Sequence, residues 1–226
     1  MSREMNIAAT IDTVYDAYLN VSTQVEDGDE LTEKGIYNAY EATSYFFLER
    51  LFTVFPFAED DRMVDFGCGK GRVLFMAAHH MCNRVTGYEN NSKRFGILKS
   101  NLSNYQQKHG KRSLIDIRNE NAQSAVIDDM DNKFFFFEPF HIKIFKQVVD
   151  KIMQSLDKRR RDITIILYLP HESTIEYFDS IRSFKKEIYV DSTLYFLDDP
   201  LLTMPHFAIY CNYSLEDLVN PYFLIY

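Results

Sequence analysis

The stretch Asp65-Phe66-Gly67-Cys68-Gly69-Lys70-Gly71-Arg72 decides the fold of this chain. Met63-Val64 leads into it with strand character, and the apolar, helix-forming run 73–78 leads out. Glycine stands at every second position of the loop, which lets bare backbone approach a ligand closely and adopt positive φ. A helix that begins after such a loop directs its free N–H groups at the same ligand. The stretch therefore predicts a ligand-binding turn between a strand and a helix.

Length and composition restrict the class of protein. The chain has 226 residues, 46% of them hydrophobic and 15% aromatic, enough for one large domain or one domain with an appendage. No apolar stretch approaches the roughly 18 residues of a membrane span, and residues 1–6 do not resemble a signal peptide. Three scattered cysteines are too few for a disulfide framework or a zinc site. We expect a cytoplasmic protein with reduced thiols, no membrane association and no metal.

The formal charge of −8 is concentrated at one end of the chain. Residues 1–61 hold 13 acidic and 3 basic side chains, whereas the rest of the chain carries a small positive net charge. An acidic segment of this kind is unsuited to non-specific binding of nucleic acid, because such binding depends on neutralising phosphates. The alternative is that these acidic side chains have no partner and only keep exposed helices and loops hydrated.

Two amphipathic helices are predicted in the acidic segment. Apolar residues recur at helical spacing over 5–20, and a second helix is predicted from about Ile36 to Phe55, with Pro56 just beyond its end. We therefore predict an N-terminal helical extension or lid over residues 1–61 and a main domain over residues 62–226.

From Arg62 onward, short apolar runs alternate with amphipathic helices. Repeated strand–helix units of this kind predict an α/β fold with a doubly wound, mainly parallel sheet and helices on both faces. The predicted strands are 63–66, 84–89, 113–118, 133–137, 162–169, 186–190 (with a possible extension to 195) and 207–213. The predicted helices are 72–80, 92–108, 141–156 and 173–181.

The glycine spacing and two acidic residues restrict the ligand. A dinucleotide-binding loop has the pattern G-x-G-x-x-G, whereas this loop is G-x-G-x-G with Arg72 at the third dinucleotide position. Asp65 precedes the first glycine by two residues, and Glu89 ends the next predicted strand. A carboxylate at that strand end can accept hydrogen bonds from both ribose hydroxyls, while one beside the loop repels pyrophosphate. The pair favours a nucleoside that carries a positive group.

In these residues the sequence resembles the class I S-adenosylmethionine-dependent methyltransferases, over residues 62 to about 213. The resemblance implies a seven-stranded Rossmann-like sheet whose last strand is antiparallel. It also implies S-adenosylmethionine as cofactor, with the glycine backbone around the methionine part, Asp65 near its polar end, Glu89 on the ribose and Asn121 reading the adenine edge. The cofactor-binding residues that the resemblance implies are Asp65, Gly67, Cys68, Gly69, Gly71, Glu89, Asn90, Asn121 and Ala122.

The fourth predicted strand ends in Phe137-Glu138-Pro139-Phe140, which resembles the Asn-Pro-Pro-Tyr signature of amino-directed methyltransferases. Glu138 replaces the amide of that signature, so it can accept hydrogen bonds or take a proton but cannot donate as an amide does. We predict Glu138 as the first candidate for a catalytic base and His171 as the second. Tyr45, Pro139 and Phe140 are predicted to contact the acceptor. There are alternatives to these assignments. Glu138 would then make a polar contact with the cofactor, and His171 and Tyr45 would have structural roles.

The resemblance thus implies methyl transfer to nitrogen or oxygen of an unidentified acceptor, and we expect a protein or small molecule rather than nucleic acid. A second resemblance is to a group of small bacterial methyltransferases, and it rests on Tyr40, Thr43, Tyr45 and residues 48–51. This resemblance indicates no substrate. The alternatives are an S-adenosylmethionine-binding sensor or non-catalytic partner subunit, an RNA or DNA methyltransferase, and a nucleotide-dependent oxidoreductase. A monomer and a homodimer are both compatible with the sequence.

Overall fold

The computed structural model describes residues 3–24, 41–80, 82, 84–110, 114–137, 141–191 and 205–214, of which 3–9, 187–191 and 205–206 are described by backbone alone. The strands are β1 Arg62–Phe66, β2 Arg84–Tyr88, β3 Leu114–Arg118, β4 Lys133–Phe136, β5 Thr164–Tyr168, β6 Lys185–Asp191 and β7 Pro205–Cys211. The helices are α1 Arg3–Leu19, α2 Tyr45–Val54, α3 Arg72–His79, α4 Ser92–His109, α5 Ile142–Lys158 and α6 Glu172–Asp179, with a short 3-10 helix at Ala122–Ser124.

The strands form one seven-stranded sheet in the order β3-β2-β1-β4-β5-β7-β6. Strands β1 to β5 pair in parallel, and β7 lies antiparallel to both β5 and β6. The prediction of a doubly wound, mainly parallel sheet with an antiparallel late strand is confirmed. Strand order reverses between β1 and β4, where sheets of this kind bind their ligands.

Alternate side chains of the central strands enter two separate cores. Phe134 and Phe136 pack with α5 and α6 on one face of the sheet, whereas Phe135 packs with the helices of the other face. Both faces of β4 are therefore covered, as its uninterrupted apolar sequence predicts. Leu19 of α1 and Leu48 of α2 lie in the same core as Phe135. The first two helices thus pack directly on the sheet domain.

Helix α2 begins later than the sequence pattern predicts. Residues 41–44 are not helical, and the helix starts at Tyr45 instead of about Ile36; positions 36–40 lie outside the described residues. The physical reason is a cap supplied by another helix, because Asp12 Oδ1 accepts a hydrogen bond of 2.9 Å from the Tyr45 N–H. Satisfying a free N–H of the first turn fixes where a helix begins.

Because β1 to β5 run parallel, their carboxyl ends lie at one rim of the sheet, with the glycine loop, Glu89 and Asn119–Asn121. The basic stretch 157–161 joins α5 to β5 and lies at the opposite rim. None of the described helices is long and apolar enough to cross a membrane.

Candidate functional site

The glycine loop is built on β2. The N–H groups of Gly67 and Cys68 both donate to the Tyr88 carbonyl oxygen, at 2.8 and 3.0 Å, and the Gly71 N–H donates to the Cys68 carbonyl oxygen at 2.8 Å. Gly67, Gly69 and Gly71 all have positive φ. The loop is therefore a tight turn that ends at the first residue of α3.

Two glycines are required by packing, and Gly71 is required by conformation as well. A Cβ on Gly71, whose φ is +94°, would lie 2.5 Å from Leu98 Cδ1. A Cβ on Gly87 of β2 would lie 2.7 Å from Cys68 Sγ. Burial raises the pKa of the Cys68 thiol well above its ordinary value. Cys68 is thus a protonated packing residue between the loop and β2.

Glu89 ties the loop to the end of β2. Its carboxylate accepts hydrogen bonds from the Gly69 N–H at 3.0 Å and from the Asn91 N–H at 2.7 Å, and Arg94 lies 3.8 Å away. Only 2% of Glu89 is exposed, and this burial raises its pKa although the N–H donors and Arg94 oppose the shift. A carboxylate has about four lone-pair positions, so these two hydrogen bonds do not use its whole accepting capacity.

Asp65 is the least satisfied charged group of the rim. It is 3% exposed, and no described residue forms an ion pair or a side-chain hydrogen bond with it. Burial, and then the nearby Glu89 carboxylate, raises its pKa to about 8. Two acidic residues thus lie in one buried region without a full complement of positive charge, which is unfavourable unless a cation joins them.

Three asparagines continue the rim beyond Glu89. Asn90 Nδ2 lies 3.3 Å from Asn121 Oδ1, so the structure brings these two predicted residues together. Asn119, which sequence reasoning did not assign to the site, donates to the Glu89 carbonyl oxygen at 2.8 Å. Ala122 is buried at the start of the 3-10 helix, so the predicted positions 121–122 lie beside the end of β2.

Tyr45 lies in the interior of the protein. Its hydroxyl donates to Asp16 Oδ1 at 2.7 Å, its ring stacks on Tyr15, and the Arg72 guanidinium lies 4.5 Å from the ring centre. Tyr45 is fully buried, so these contacts give it a structural place between α1 and α3. Its predicted contact with an acceptor stays a prediction.

Beyond β4 and β5 the rim contains a cavity of about 250 Å³ between α5 and α6. Phe136 and Leu167 line its apolar part, and His141 and His171 lie at its edge. His171 caps α6, with its Nδ1 accepting from the Ser173 N–H at 3.3 Å. The predicted residues Glu138, Pro139 and Phe140 lie outside the described residues.

Lys70 and Arg72 are charged residues of the loop to which sequence reasoning assigned no role. Both are buried, and their side chains bond to residues of the N-terminal segment instead of to Asp65 or Glu89. The signal in the sequence was a cation within and directly after a glycine loop, ahead of an apolar helix. The partners of Arg72 could not be predicted from the sequence because they lie some 50 to 60 positions away.

The residues of the rim fit a cofactor with a positive group and a carboxylate. Asp65 and Glu89 supply two buried carboxyl groups whose pKa values are both raised, and Gln24 Nε2 is a buried donor with no partner in the described structure. Within the described ranges no group of three or more His, Cys, Asp or Glu side chains could hold a metal ion.

The chain has the fold of the class I S-adenosylmethionine-dependent methyltransferases, as the resemblance in its sequence implied. Among similar solved structures is a human methyltransferase 10 domain containing protein, with a TM-score of 0.56 and 12% identity over 92% of this chain and 95% of that one. Precorrin-6y C5,15-methyltransferase from Geobacter metallireducens gives 0.53 and 14% over 84% and 95% of the two chains. An rRNA methylase from Streptococcus thermophilus gives 0.52 and 14% over 75% and 95%. No family model matches the sequence, and no curated protein matches it significantly.

Proposed function

We propose that this protein is an S-adenosylmethionine-dependent methyltransferase that acts on nitrogen or oxygen of a protein or small-molecule acceptor. The observation that carries the proposal is the pair of buried acidic residues at the glycine loop, Asp65 and Glu89, whose pKa values are both raised. A dinucleotide would bring a pyrophosphate to this acidic surface, whereas a nucleoside with a cationic side group complements it.

In this proposal the loop backbone from Gly67 to Gly71 surrounds the methionine part of the cofactor, Asp65 supports its positive end and Glu89 accepts the ribose hydroxyls. Asn121 hydrogen-bonds the adenine edge, with Asn90 and Ala122 beside it. When bound, S-adenosylmethionine supplies a methyl group activated by the sulfonium. The protein contributes by orienting the acceptor and excluding water, which together account for much of the rate in reactions of this type.

Glu138 is the proposed base for an amine acceptor, which must lose a proton. His171 is a weaker candidate on chemical grounds. The Ser173 N–H can only donate, so Nδ1 of His171 accepts and the neutral ring carries its proton on Nε2. Taking a further proton at Nε2 would require the other tautomer and the loss of this cap. Pro139, Phe140 and Tyr45 are proposed as walls of the acceptor site.

Nucleic acid is the second proposed class of acceptor. It is favoured by the fold of an rRNA methylase from Streptococcus thermophilus, although 14% identity carries no substrate from one protein to the other. The acidic N-terminal segment and the position of 157–161 on the opposite rim favour a protein or small molecule. A sensor or partner subunit that binds the cofactor without turnover is the non-enzymatic alternative.

Calorimetry with S-adenosylhomocysteine and with NAD tests the cofactor. We expect binding of S-adenosylhomocysteine and none of NAD, and the reverse result would refute the proposal. Production of S-adenosylhomocysteine from S-adenosylmethionine with any acceptor would exclude a purely binding role. Glu138→Gln should then lower kcat for an amine acceptor by at least tenfold with little change in cofactor affinity, and an unchanged kcat would remove Glu138 as the base.

A further inference from the structure

The segment that follows α1, residues 21–24, lies directly against the glycine loop. Lys70 Nζ donates to the Gln24 carbonyl oxygen at 2.7 Å, and Arg72 Nε donates to Thr23 Oγ1 at 2.7 Å. Both cationic side chains are almost completely buried. The loop therefore uses its own two cations to hold a segment that lies some 50 positions earlier in the chain.

Asn101 of α4 also forms hydrogen bonds with this segment. Its Nδ2 donates to the carbonyl oxygens of Ser22 and Lys70, both at 2.9 Å, and its Oδ1 accepts from the Ser22 N–H at 2.9 Å. One buried amide thus bridges the backbone of the loop and the backbone of the segment. Such a side chain satisfies buried polar groups on both partners and fixes their spacing.

Helix α1 supplies the negative charges that hold this arrangement. Asp16 accepts from the Thr23 N–H at 2.7 Å and from the Thr23 hydroxyl at 2.6 Å. Asp12 lies 2.7 Å from Arg72 in a buried ion pair, and Arg72 also donates to the Thr43 carbonyl oxygen at 3.1 Å. Charge-assisted bonds of this kind are about twice as strong as neutral ones.

This arrangement has an electrostatic consequence for the rim. Lys70 and Arg72 are the two cationic residues in and directly after the glycine loop, and both are bonded to residues of the N-terminal segment. Asp65 is left with no ion pair in the described structure. If either cation were released, it would neutralise the buried carboxyl and compete with a cationic ligand. The segment thereby keeps both cations away from the two acidic side chains of the site.

Gln24 adds a hydrogen-bond donor that the protein itself leaves unused. Its Nε2 is buried and has no hydrogen-bond partner among the described residues. A buried donor without an acceptor costs free energy, so a partner from a ligand is expected at such a position. The Gln24 backbone is bonded to Lys70 of the loop, so the residue lies beside the turn to which the proposed function assigns the methionine part of the cofactor.

We propose that residues 21–24 form a wall of the cofactor site, in which Gln24 donates to the carboxylate of the cofactor while Lys70, Arg72 and Asn101 position it. The inference rests on the proposed function, since the carboxylate belongs to the proposed cofactor. It extends that function by making part of the N-terminal segment a cofactor-binding element and not only a cover for the acceptor. Deletion of α1 would expose the buried Leu19, so point variants are the suitable test.

The first experiment compares two ligands that differ in the amino-acid part. For Gln24→Glu, calorimetry should show at least tenfold weaker binding of S-adenosylhomocysteine and less than a twofold change for 5′-methylthioadenosine, which lacks the carboxylate. Gln107→Glu, an exposed position on α4 with the same change of charge, is the matched control and should leave both affinities unchanged. Equal losses for both ligands, or no loss for either, would overturn the role of Gln24.

The second experiment tests the positioning residues without a ligand. In Arg72→Lys, hydrogen exchange of the loop backbone at residues 66–71 should become at least tenfold faster, and S-adenosylhomocysteine should bind at least fivefold more weakly. Lys133→Met, which breaks a buried ion pair at the opposite rim, controls for general destabilisation: it should leave the affinity unchanged and should not speed exchange at residues 66–71 more than elsewhere in the sheet. Equal rates of hydrogen exchange in Arg72→Lys and in the unaltered protein would refute the proposal that Arg72 positions residues 21–24 against the loop.

The two experiments distinguish this inference from the function on which it rests. If the unaltered protein bound neither ligand, the proposed cofactor would be wrong and Gln24 would lose its assigned role. Faster exchange in ligand-free Arg72→Lys would still support the positioning by Arg72, because that measurement needs no cofactor. Binding by the unaltered protein together with unchanged affinity in Gln24→Glu would refute the inference and leave the cofactor intact.

Discussion

The two ends of β1 each hold a buried aspartate, and the protein treats them differently. At the amino end, Asp61 accepts from the Ala58 N–H at 2.8 Å and from Asn132 Nδ2 at 2.7 Å, and Lys133 Nζ lies 3.5 Å away. At the carboxyl end, Asp65 has neither an ion pair nor a side-chain hydrogen bond in the described structure. The protein itself supplies the partners of the first carboxyl, whereas in the proposed function the partner of the second is the cofactor.

The difference shows how a single strand separates stability from function. A buried charge that is paired and hydrogen-bonded contributes to a unique structure, and one that is left unpaired costs stability. Proteins keep such costs where a ligand removes them, and the carboxyl rim is where α/β sheets bind ligands. The comparison can be tested at each end separately.

The largest expected effect lies at the amino end. Lys133→Met should lower the free energy of unfolding by about 3 kcal/mol, because it leaves Asp61 as an unpaired buried charge. The double variant Asp61→Asn/Lys133→Met should recover most of this loss. Urea denaturation measures both, and a single variant as stable as the unaltered protein would show that the pair is not the essential feature of this end.

At the carboxyl end, Glu89→Ala should weaken S-adenosylhomocysteine binding by about 100-fold, or about 2.7 kcal/mol, because it removes the proposed ribose acceptor and the bond to the Gly69 N–H. Asp131→Asn is the control, since Asp131 is an equally buried acid near the amino rim. It should alter stability and leave affinity unchanged. Calorimetry measures S-adenosylhomocysteine binding by both variants. Equal affinities of Glu89→Ala and Asp131→Asn would contradict the proposed role of Glu89.

Asp65→Asn should stabilise the ligand-free protein in a pH-dependent way. The pKa of Asp65 is about 8 in the folded protein and about 3.9 in an unfolded chain, so the folded state binds this proton more tightly. Stability is therefore greatest below pH 4 and falls as the pH rises toward 8. The variant escapes this loss, so its free energy of unfolding should exceed that of the unaltered protein at pH 8.5. Urea denaturation at pH 4 should show no such gain.

Much of the fold and part of the site could be predicted from the sequence because their signals are local. The alternation of strands and helices, the glycine loop, Asp65 before it and Glu89 after it all lie within stretches of a few residues. The proposed roles of these residues stay predictions. Their burial and the lack of a described ion pair for Asp65 could not be read from the sequence, because both depend on packing between elements.

The residues that sequence reasoning missed are those that act over long separations. Asp12 sets the start of α2 from another helix, 33 positions earlier, so the pattern predicted a helix that began too soon. Asn101 contacts Ser22 across 79 positions, and neither residue has a motif that indicates its partner. Propensity and periodicity describe neighbours along the chain, whereas these contacts depend on the tertiary arrangement.

The smallest expected effect distinguishes the cofactor from its product. At pH 6.5 Asp65 is mostly protonated in the ligand-free protein, because burial and Glu89 raise its pKa to about 8. A cationic sulfonium favours the ionised carboxyl, whereas the neutral thioether of S-adenosylhomocysteine does not. The affinity for S-adenosylmethionine relative to S-adenosylhomocysteine should therefore rise about tenfold between pH 6.5 and 8.5, with proton release on binding.

Calorimetry in two buffers of different ionisation enthalpy measures both the affinity ratio and the proton release. Asp65→Asn should abolish the pH dependence of the ratio, and Asp61→Asn, at the other end of β1, should preserve it. A ratio that stayed constant with pH in the unaltered protein would mean that Asp65 does not sense the charge of the ligand. The two ends of β1 would then differ in packing only, and the unpaired carboxyl would need another explanation.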